Sequence, residues 1–335
     1  MRTGDDFEIL KPYEFLDDLK HQAKNAKKRI WIQAMYVRPG VVASALLDIF
    51  KNSTSQKIVK KLCIDWYDLM LSDHNRLTKQ KEIFNDLKNM DVKVLFTNPP
   101  DLLGKIWPYK GRNHMKMTVI DNISYVGGLN FADEDFSYVD FMVKIKDPDI
   151  TDIIADQFIK VEEGRLVDKK IQIDKETTLF VDSGKAGHSI ILDHAAELAR
   201  EAKKNIFHIN QLTPDGKFLE ALHTMYKKGV NVEVLVPAKN GSGIFSLVNK
   251  VNKLEMLLKK QKIPILFSSR KIHAKLTIVD EKTVLFGSHN LFEKGVYMGT
   301  AEISLQSTNQ KLVQSLLHFY KNLSMQGGNR PLKLN

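Results

Sequence analysis

The sequence predicts an α/β protein of two similar lobes, in which mixed β-sheets flanked by helices are related by a pseudo-two-fold axis. Three observations support this prediction. Segments with helical periodicity alternate with short strand-like runs along the whole chain. The run KKRIWIQAMYVRPG at 27–40 returns as KKNIFHINQLTPDG at 203–216, and the pattern His-x-Lys-x4-Asp occurs once in each half. We expect two such copies to pack like a homodimer fused into one chain.

Each half of the chain passes through the same order of elements. The first element is predicted to be an amphipathic helix. Apolar residues recur at three- and four-residue steps in EFLDDLKHQAKNAKK (14–28) and ILDHAAELAREAKK (191–204). A strand, a second helix, a further strand and a histidine motif follow in both halves. The polar stretch GRLVDKKIQIDKET (164–177) lacks strong periodicity, so we expect the join there, with lobes at 1–168 and 169–335.

The 335-residue chain is basic, which restricts its partners without choosing among them. It carries 50 Lys and Arg against 40 Asp and Glu, a formal charge of +10. A positive field favours nucleic acid, anionic membrane surfaces or phosphorylated substrates. Cys63 is the only cysteine, so no intrachain disulfide can form and a reducing compartment is expected.

No stretch has the composition of a targeting or membrane-spanning segment. The first residues, MRTGDDFEILKPYEF, contain no apolar core of a signal peptide, and no run approaches the roughly 18–20 apolar residues of a membrane span. We therefore expect a cytoplasmic protein that is functional as a monomer and peripheral at any membrane it contacts.

Two short motifs, NHMKMTVID and IHAKLTIVD, carry the functional signal. On this composition about 0.1 occurrences of the His-x-Lys-x4-Asp pattern are expected by chance in a chain of this length. Two copies at equivalent positions, followed by GGLN and GSHN, are therefore a strong signal. The members of the pattern are His114, Lys116, Asp121, His273, Lys275 and Asp280.

The second motif is predicted to form the first strand of a β-hairpin that returns through TVLFGSHN. Side chains at i and i+2 share a face of a strand, so His273 and Lys275 point the same way. A turn centred on 281–282 sets Lys275 opposite Ser288. The same register sets His273 opposite Asn290.

The first motif is predicted to form an equivalent hairpin that returns through GGLN. A turn over residues 121–123 sets His114 opposite Asn130. It also sets Lys116 opposite Gly128. Both hairpins thereby gather a histidine, a lysine, an asparagine amide and small-residue backbone in one place.

These groups suit a phosphodiester. Lysine ammonium groups, amides and backbone N–H groups bind anionic oxygens, and the candidate phosphate ligands beside the lysines are Asn130, Asn290, Gly128 and Ser288. One histidine can attack phosphorus while a second protonates the leaving oxygen. The two histidines then need opposite protonation states at the start, which unequal surroundings can provide.

Four acidic residues are expected to support the site. Asp140 in YVDFMVKI and Glu302 in TAEISL occupy comparable strand positions after each asparagine, so we expect them to orient the imidazoles. Asp121 and Asp280 lie at turn starts, where an Asx hydrogen bond is favoured, so we expect them to be structural. No acidic or histidine cluster has the spacing of metal ligands, which predicts a site without metal or other cofactor.

At these residues the sequence resembles the phospholipase D superfamily, whose signature is a pair of His-Lys-Asp motifs, and it looks most like bacterial cardiolipin synthases. The resemblance extends from about residue 8 to about residue 320. It rests on RNHMKMTVIDNISYVGGLNFADEDF and DFMVKIKDP in the first half, and on KKGVNVEVLVPAKN and IHAKLTIVD in the second.

The resemblance implies a role for each member of the paired motifs. His114 would be the nucleophile of a phosphohistidine intermediate, and His273 the general acid and then the base for the acceptor. The residues that it implies as phosphate ligands are Lys116, Lys275, Asn130 and Asn290. Only the family supplies the choice of nucleophile, because the two motifs are equivalent in sequence.

Two departures from the cardiolipin synthase pattern keep other substrates open. Those proteins usually carry N-terminal membrane spans, and an Asp-x-Arg-Ser-like stretch tends to follow their second asparagine, whereas GSHN continues here into LFEKGVYMGT. We expect a phosphodiesterase or phosphatidyltransferase acting on phospholipid at an anionic membrane surface. A metal-independent nuclease acting on DNA or RNA is the alternative, and a non-catalytic binding protein is a third reading.

The segment PPDLLGKIWPYKGRN (99–113) leads directly into the first motif and mixes aromatic and apolar residues with cations. This mixture suits a loop that dips into an anionic bilayer interface. It equally suits a loop whose aromatic residues pack over the rim of the active site. The same residues could stack and guide single-stranded nucleic acid.

Overall fold

The computed structural model describes residues 6–53, 57–99, 111–238, 250–252, 263–325 and 330–331. These residues form two mixed β-sheets with helices packed against them, one sheet in each half of the chain. The predicted α/β class and two-lobed architecture are therefore confirmed.

The first lobe begins with a strand and a helix and ends with a long helix. Its elements are β1 (Phe7–Leu10), α1 (Pro12–Asn25), β2 (Arg29–Ala34), α2 (Val41–Lys51), β3 (Val59–Asp65), α3 (Tyr67–Leu71), α4 (His74–Asn89), β4 (Val92–Thr97), β5 (Met117–Ile120), β6 (Ile123–Gly127), α5 (Asp133–Phe136), β7 (Met142–Ile145) and α6 (Pro148–Glu162).

The second lobe follows the same plan with one additional strand at each end. Its elements are β8 (Lys169–Gln172), β9 (Thr177–Ser183), α7 (Ile190–Arg200), β10 (Asn205–Ile209), α8 (Gly216–Lys227), β11 (Asn231–Pro237), β12 (Ile265–Ser268), β13 (Leu276–Val279), β14 (Thr283–Gly287), α9 (Glu293–Met298), β15 (Ala301–Ser307), α10 (Gln310–Met325) and β16 (Arg330–Pro331).

Strand order shows the internal repeat directly. The first sheet has the order β1-β7-β6-β5-β2-β3-β4, and the second contains β9-β15-β14-β13-β10-β11-β12, with β8 beside β9 and β16 beside β12. The strands at the β4 and β12 ends pair in parallel, and the histidine hairpins pair antiparallel. The second sheet begins in chain order at Lys169, while the domain boundary at 168/169 stays a prediction.

Apolar residues hold the lobes together as well as filling each one. Helices α1, α2 and α4 cover one face of the first sheet, and α7 and α8 cover one face of the second. The remaining faces share a single core with α6 and α10, which contribute Phe158 and Leu316. Within this core the rings of Phe141 and Phe286, one from each lobe, have centroids 6.1 Å apart. Burial of this apolar area favours one relative placement of the lobes.

The first histidine hairpin forms, but its register differs from the prediction. The strands β5 and β6 close over a two-residue turn, 121–122, rather than a three-residue one. The predicted pairing of His114 with Asn130 is therefore wrong by one position. The predicted pairing of Lys116 with Gly128 is wrong by the same amount.

The turn of the second hairpin is one residue longer than predicted. The strands β13 and β14 close over three residues, 280–282, where two were predicted. Two of these, Asp280 and Glu281, adopt left-handed backbone with φ of 54° and 55°. The predicted pairings of Lys275 with Ser288 and of His273 with Asn290 are consequently wrong by one position as well.

The aspartates of the two motifs secure these turns. The Asp121 carboxylate accepts hydrogen bonds from the backbone N–H groups of residues 27–29 at 2.8 to 3.1 Å. The Asp280 carboxylate accepts from the N–H groups of residues 203–205 at 2.7 to 3.1 Å. Each acid thus ties its hairpin to the chain entering β2 or β10, at the far end from the histidine. These contacts support a structural part for both.

Within the described ranges, no helix has both the length and the apolar character needed to cross a bilayer. Of the aromatic and basic segment 99–113, residues 100–110 lie outside the described residues. Its expected contact with a membrane therefore stays a prediction. The chain re-enters the described part at Gly111, whose N–H donates to the Met298 carbonyl at 2.8 Å and so attaches the first motif to the second lobe.

Candidate active site

The two histidine motifs meet where the lobes join. His114 and His273 lie just before β5 and β13, the central strands of their sheets. The N–H of His114 donates to the Ala301 carbonyl and the N–H of His273 donates to the Val139 carbonyl, both at 2.9 Å. Each motif therefore extends from its own sheet to the opposite lobe, which brings both imidazoles to the interface.

Each imidazole contacts a carboxylate of the opposite lobe. The two carboxylate oxygens of Glu302 lie 2.9 and 3.0 Å from Nδ1 of His114. Asp140 Oδ2 lies 2.7 Å from Nδ1 of His273. A carboxylate at Nδ1 keeps the proton on that atom and leaves Nε2 to react. The two acids expected to orient the histidines are in contact with them, in a crossed arrangement that sequence spacing does not indicate.

The charge state of the first pair follows from its burial. Burial lowers the pKa of His114 to about 4, although the Glu302 carboxylate opposes this shift. Burial alone would raise the pKa of Glu302, but His114, His289 and Lys116 together outweigh it, and the pKa falls to about 2. At neutral pH the pair is therefore a carboxylate and a neutral imidazole, the form in which histidine can act as a nucleophile.

Burial and charged neighbours of both signs affect the pKa of His273. Burial and the neighbouring Lys275 lower the pKa of His273, while the carboxylates of Asp140 and Asp135 oppose this shift. An anionic phosphate placed beside this imidazole would favour its charged form. The imidazole is therefore suited to take up a proton when an anion binds.

The two motif lysines are buried beside the histidines. Lys116 Nζ donates to the carbonyl of His114 at 2.7 Å, and Lys275 Nζ donates in the same way to the carbonyl of His273. Burial lowers the pKa of Lys116 to about 7 and that of Lys275 to about 8. Two buried ammonium groups of this kind are stabilised when an anion is bound between them.

The two asparagines each keep a buried amide atom without a hydrogen bond. Asn130 Oδ1 accepts from the Met35 N–H at 3.0 Å, and its Nδ2 has no partner. In Asn290 the atom without a partner is Oδ1, and rotating the amide by half a turn would present the NH2 group instead. A buried amide without a partner is costly, so a bound phosphate oxygen would stabilise both.

Gly128 and Ser288 support the orienting acids. The Gly128 N–H points to the Phe141 carbonyl at 3.4 Å, and a Cβ at this position would lie 2.5 Å from Asp140 Oδ2. The Ser288 N–H donates to the Ile303 carbonyl at 2.9 Å, and its hydroxyl donates to Glu302. Both N–H groups thus have acceptors within the protein, and the expected phosphate contacts of these two residues stay a prediction. A small residue at each position leaves room for the carboxylate.

A cavity of about 220 Å³ reaches the His114 side of the interface. Most of its exposed wall is apolar and comes from Met35, Leu212, Phe292, Val296 and Met298, while the polar residues of the lining are Tyr67, Arg112, His114, His188, Ser189, His289, Asn290, Lys294, Thr300 and Glu302. No sequence pattern indicates this cavity, since its walls come from separate stretches of both lobes.

Two buried residues near the histidines were not among the sequence candidates. Asp135 accepts a hydrogen bond from the Tyr36 hydroxyl at 3.2 Å. His289 accepts one from the Leu291 N–H at 2.8 Å, and its other ring nitrogen lies 3.3 Å from the Ser189 hydroxyl. Both occupy positions where the two copies of the repeat differ, so a comparison of the copies residue by residue could have identified them.

Comparisons with known proteins concern the family and the fold of the chain. The family profile described as "Cardiolipin synthase, PLD-like domain" matches residues 19–161 and 196–323. The chain is 29% identical over 209 residues to cardiolipin synthase A of Buchnera aphidicola subsp. Acyrthosiphon pisum, covering 56% of this chain and 43% of the relative. It is 26% identical over 209 residues to cardiolipin synthase A of Klebsiella pneumoniae, with the same coverage. The chain thus spans less than half the length of these relatives.

Among solved structures, the fold is similar to that of a phosphatidylserine synthase from Haemophilus influenzae Rd KW20. The TM-score is 0.75 at 16% identity, and the match covers 99% of this chain and 88% of the other. A polyphosphate kinase from Porphyromonas gingivalis matches with a TM-score of 0.64 at 10% identity, over 94% of this chain and 50% of the other. At such low identities these likenesses concern the fold alone.

Proposed function

The chain belongs to the phospholipase D-like family of cardiolipin synthases, and from this premise we propose that it is a metal-independent phosphodiesterase or phosphatidyltransferase acting on phospholipid. The observation that carries the proposal is the crossed pair of histidine–carboxylate contacts beside two buried lysines. This arrangement supplies a nucleophile, a proton donor and a cationic phosphate site in one place.

In the first step the substrate phosphate lies between the ammonium groups of Lys116 and Lys275. Nε2 of His114 attacks phosphorus, and a P–N bond forms while the bond from phosphorus to the leaving oxygen breaks. The proton on Nε2 of protonated His273 passes to that oxygen, so the alcohol leaves neutral. The products are a free alcohol and a phosphohistidine at His114.

In the second step an acceptor hydroxyl enters where the first alcohol left. His273, now neutral, takes the proton of that hydroxyl while the acceptor oxygen attacks phosphorus and the P–N bond to His114 breaks. A water acceptor gives a phosphomonoester, and an alcohol acceptor gives a new phosphodiester. Both histidines return to their starting states, so the cycle balances without a metal.

The unequal surroundings of the two imidazoles support this order of roles. The pKa of His114 lies at about 4 because of burial, so its imidazole is neutral and nucleophilic at neutral pH. Burial and Lys275 lower the pKa of His273 as well, but the carboxylates of Asp140 and Asp135 oppose this shift, and a bound phosphate would add to them in favouring the protonated form.

Support for a phospholipid comes from two sources. The relatives that the chain matches carry the name cardiolipin synthase A, and the cavity beside His114 has an apolar lining that suits the acylated part of a lipid. The formal charge of +10 suits lipid and nucleic acid equally. An assay with both substrates therefore decides between the lipid function and the nuclease alternative.

We expect the purified chain to release the head group from phosphatidylglycerol vesicles in the presence of EDTA and to leave single-stranded DNA intact under the same conditions. Mass spectrometry of the lipids distinguishes hydrolysis, which gives phosphatidic acid, from transfer, which gives a new phosphodiester. Cleavage of the DNA with no lipid turnover would contradict the proposal and establish the nuclease alternative. Loss of all turnover in EDTA would contradict metal independence.

The pH dependence of kcat/KM should reflect the shifted pKa values of the free enzyme. With bis(p-nitrophenyl) phosphate, whose leaving group needs no protonation, kcat/KM rises as His114 loses its proton near pH 4 and falls as Lys116 and Lys275 lose theirs near pH 7 and 8. The rate constant rises and then falls with pH because the His114 imidazole must be neutral to attack phosphorus and the two lysines must be charged to bind the phosphate. In Lys116→Met only Lys275 remains, so the fall of kcat/KM at alkaline pH should centre near pH 8. A wild-type kcat/KM that stays constant from pH 6 to 9 would show that the lysines do not hold the phosphate.

A further inference from the structure

Three of the positions at which the two sides of the active site differ concern Tyr36, Asp135 and Tyr138 of the first lobe. Alignment of the repeated strands matches Tyr36 with Leu212. Counting from the asparagine of each motif, the fifth residue is Asp135 in the first lobe and Gly295 in the second. The eighth residue is Tyr138 in the first lobe and Met298 in the second. At all three positions the first lobe has a polar group where the second has an apolar or small residue.

The second-lobe residues form an apolar surface beside His114. Leu212, Gly295 and Met298 all line the cavity of about 220 Å³ that contains His114 and Glu302. A Cβ at Gly295 would lie 2.9 Å from Cδ1 of Phe292, another lining residue, so a side chain there would displace that ring. The exposed wall of this cavity is mainly apolar, so this side of the site suits a hydrocarbon-bearing group.

The first-lobe residues form a polar counterpart beside His273. The Tyr36 hydroxyl donates to Asp135 Oδ1 at 3.2 Å. The backbone N–H of Tyr138 donates to the Asp135 carbonyl at 3.2 Å, and the Tyr138 ring centroid lies 6.5 Å from that of His273. The segment from Asp135 to Tyr138 therefore places a carboxylate and a phenol on the His273 side.

One oxygen of this carboxylate has no partner. Asp135 is 2% exposed, and its Oδ2 atom is buried without a hydrogen bond. The Asp135 carboxylate acts electrostatically on the active site. It favours the charged forms of His273 and Lys275 and so opposes the lowering of their pKa values by burial. A buried carboxylate oxygen without a donor is costly, and a ligand hydroxyl that donates to it would offset the cost.

Building on the proposed function, we propose that Tyr36, Asp135 and Tyr138 form a subsite for the hydroxyl groups of the alcohol that leaves and enters at His273. The acylated part of the lipid then occupies the cavity beside His114. Substrate direction is thereby fixed, because the two sides of a nearly symmetric site recognise different ends of the molecule.

A competition between two acceptors tests this subsite. The wild-type chain is incubated with phosphatidylglycerol vesicles and equal concentrations of deuterated glycerol and 1-propanol, and the two labelled phosphatidyl products are measured by mass spectrometry. Because a site built to bind a hydroxyl rejects the analogue that lacks it, we expect glycerol to be favoured by about 10-fold or more. In Asp135→Asn the ratio should fall at least about 5-fold, because the hydroxyl loses its charged acceptor.

The ratio is independent of how much of the variant is folded, since both products come from the same active molecules. Asp133→Asn is the matched control: this acid lies on the same short helix α5, and its carboxylate accepts from the N–H groups of Val41 and Val42 instead. Its ratio should equal that of the wild type.

Three outcomes would overturn the inference. A wild-type ratio near one would show that the hydroxyls are not recognised. An unchanged ratio in Asp135→Asn, whether or not total activity falls, would give Asp135 a structural part only. No phosphatidyl product of any kind from the wild type would instead remove the proposed function on which the subsite rests.

Discussion

His114→Ala should abolish turnover of phosphatidylglycerol and of bis(p-nitrophenyl) phosphate alike, with a loss of more than about 10⁴-fold in kcat. The loss is the same for good and poor leaving groups because the bond from Nε2 of His114 to phosphorus can no longer form. Alanine keeps the backbone hydrogen bond from residue 114 to Ala301, so the fold should persist. Initial rates with each substrate measure the effect.

The matched control is His21→Ala, which removes an exposed imidazole from α1 and should retain wild-type rates. A His114→Ala protein that melts at the same temperature as the wild type and keeps more than a tenth of its activity would contradict the nucleophile assignment.

His273→Ala should show a different dependence on the leaving group. With phosphatidylglycerol we expect a fall of about 10²- to 10⁴-fold, because the departing alkoxide no longer receives a proton. With bis(p-nitrophenyl) phosphate the first step should remain fast, since p-nitrophenolate leaves without protonation. The second step should still be slow, because the water that releases His114 has lost its base. Stopped-flow absorbance should therefore record a burst of one p-nitrophenolate per active chain, followed by a slow steady state.

The burst distinguishes the two histidines in a way that overall rates do not. If the roles were reversed, the burst would occur in His114→Ala and would be absent from His273→Ala. Equal loss of the first turnover in both variants would mean that neither imidazole acts alone as the nucleophile.

Much of the fold and the core of the site could be predicted from the sequence, because the repeat supplied an internal comparison. The matched motifs identified both histidines and both lysines, and the comparable strand positions of Asp140 and Glu302 led to the acids that contact them. These inferences needed only spacing along the chain. Strand alternation and the helical periodicities were sufficient for the class and the two-lobed plan.

What could not be predicted depends on contacts between distant segments. The hairpin registers were missed because Asp121 and Asp280 bond to chain segments entering other strands, and those contacts accompany turns of two and three residues. Each histidine contacts a carboxylate of the opposite lobe, and this depends on how the two sheets pack. Residue spacing within one lobe carries no information about that packing. The parts of Gly128 and Ser288 were missed for the same reason, since the carboxylates that need their space follow on a later strand.

The central claim is covalent catalysis at His114. Its most direct test is to mix His273→Ala with bis(p-nitrophenyl) phosphate, quench within the burst at alkaline pH, where phosphohistidine survives, and map the peptides by mass spectrometry. We predict a p-nitrophenyl phosphoryl group on the peptide that contains His114, and no adduct when His114→Ala is added to the same chain. Turnover without an adduct, or an adduct on any other residue, would contradict it.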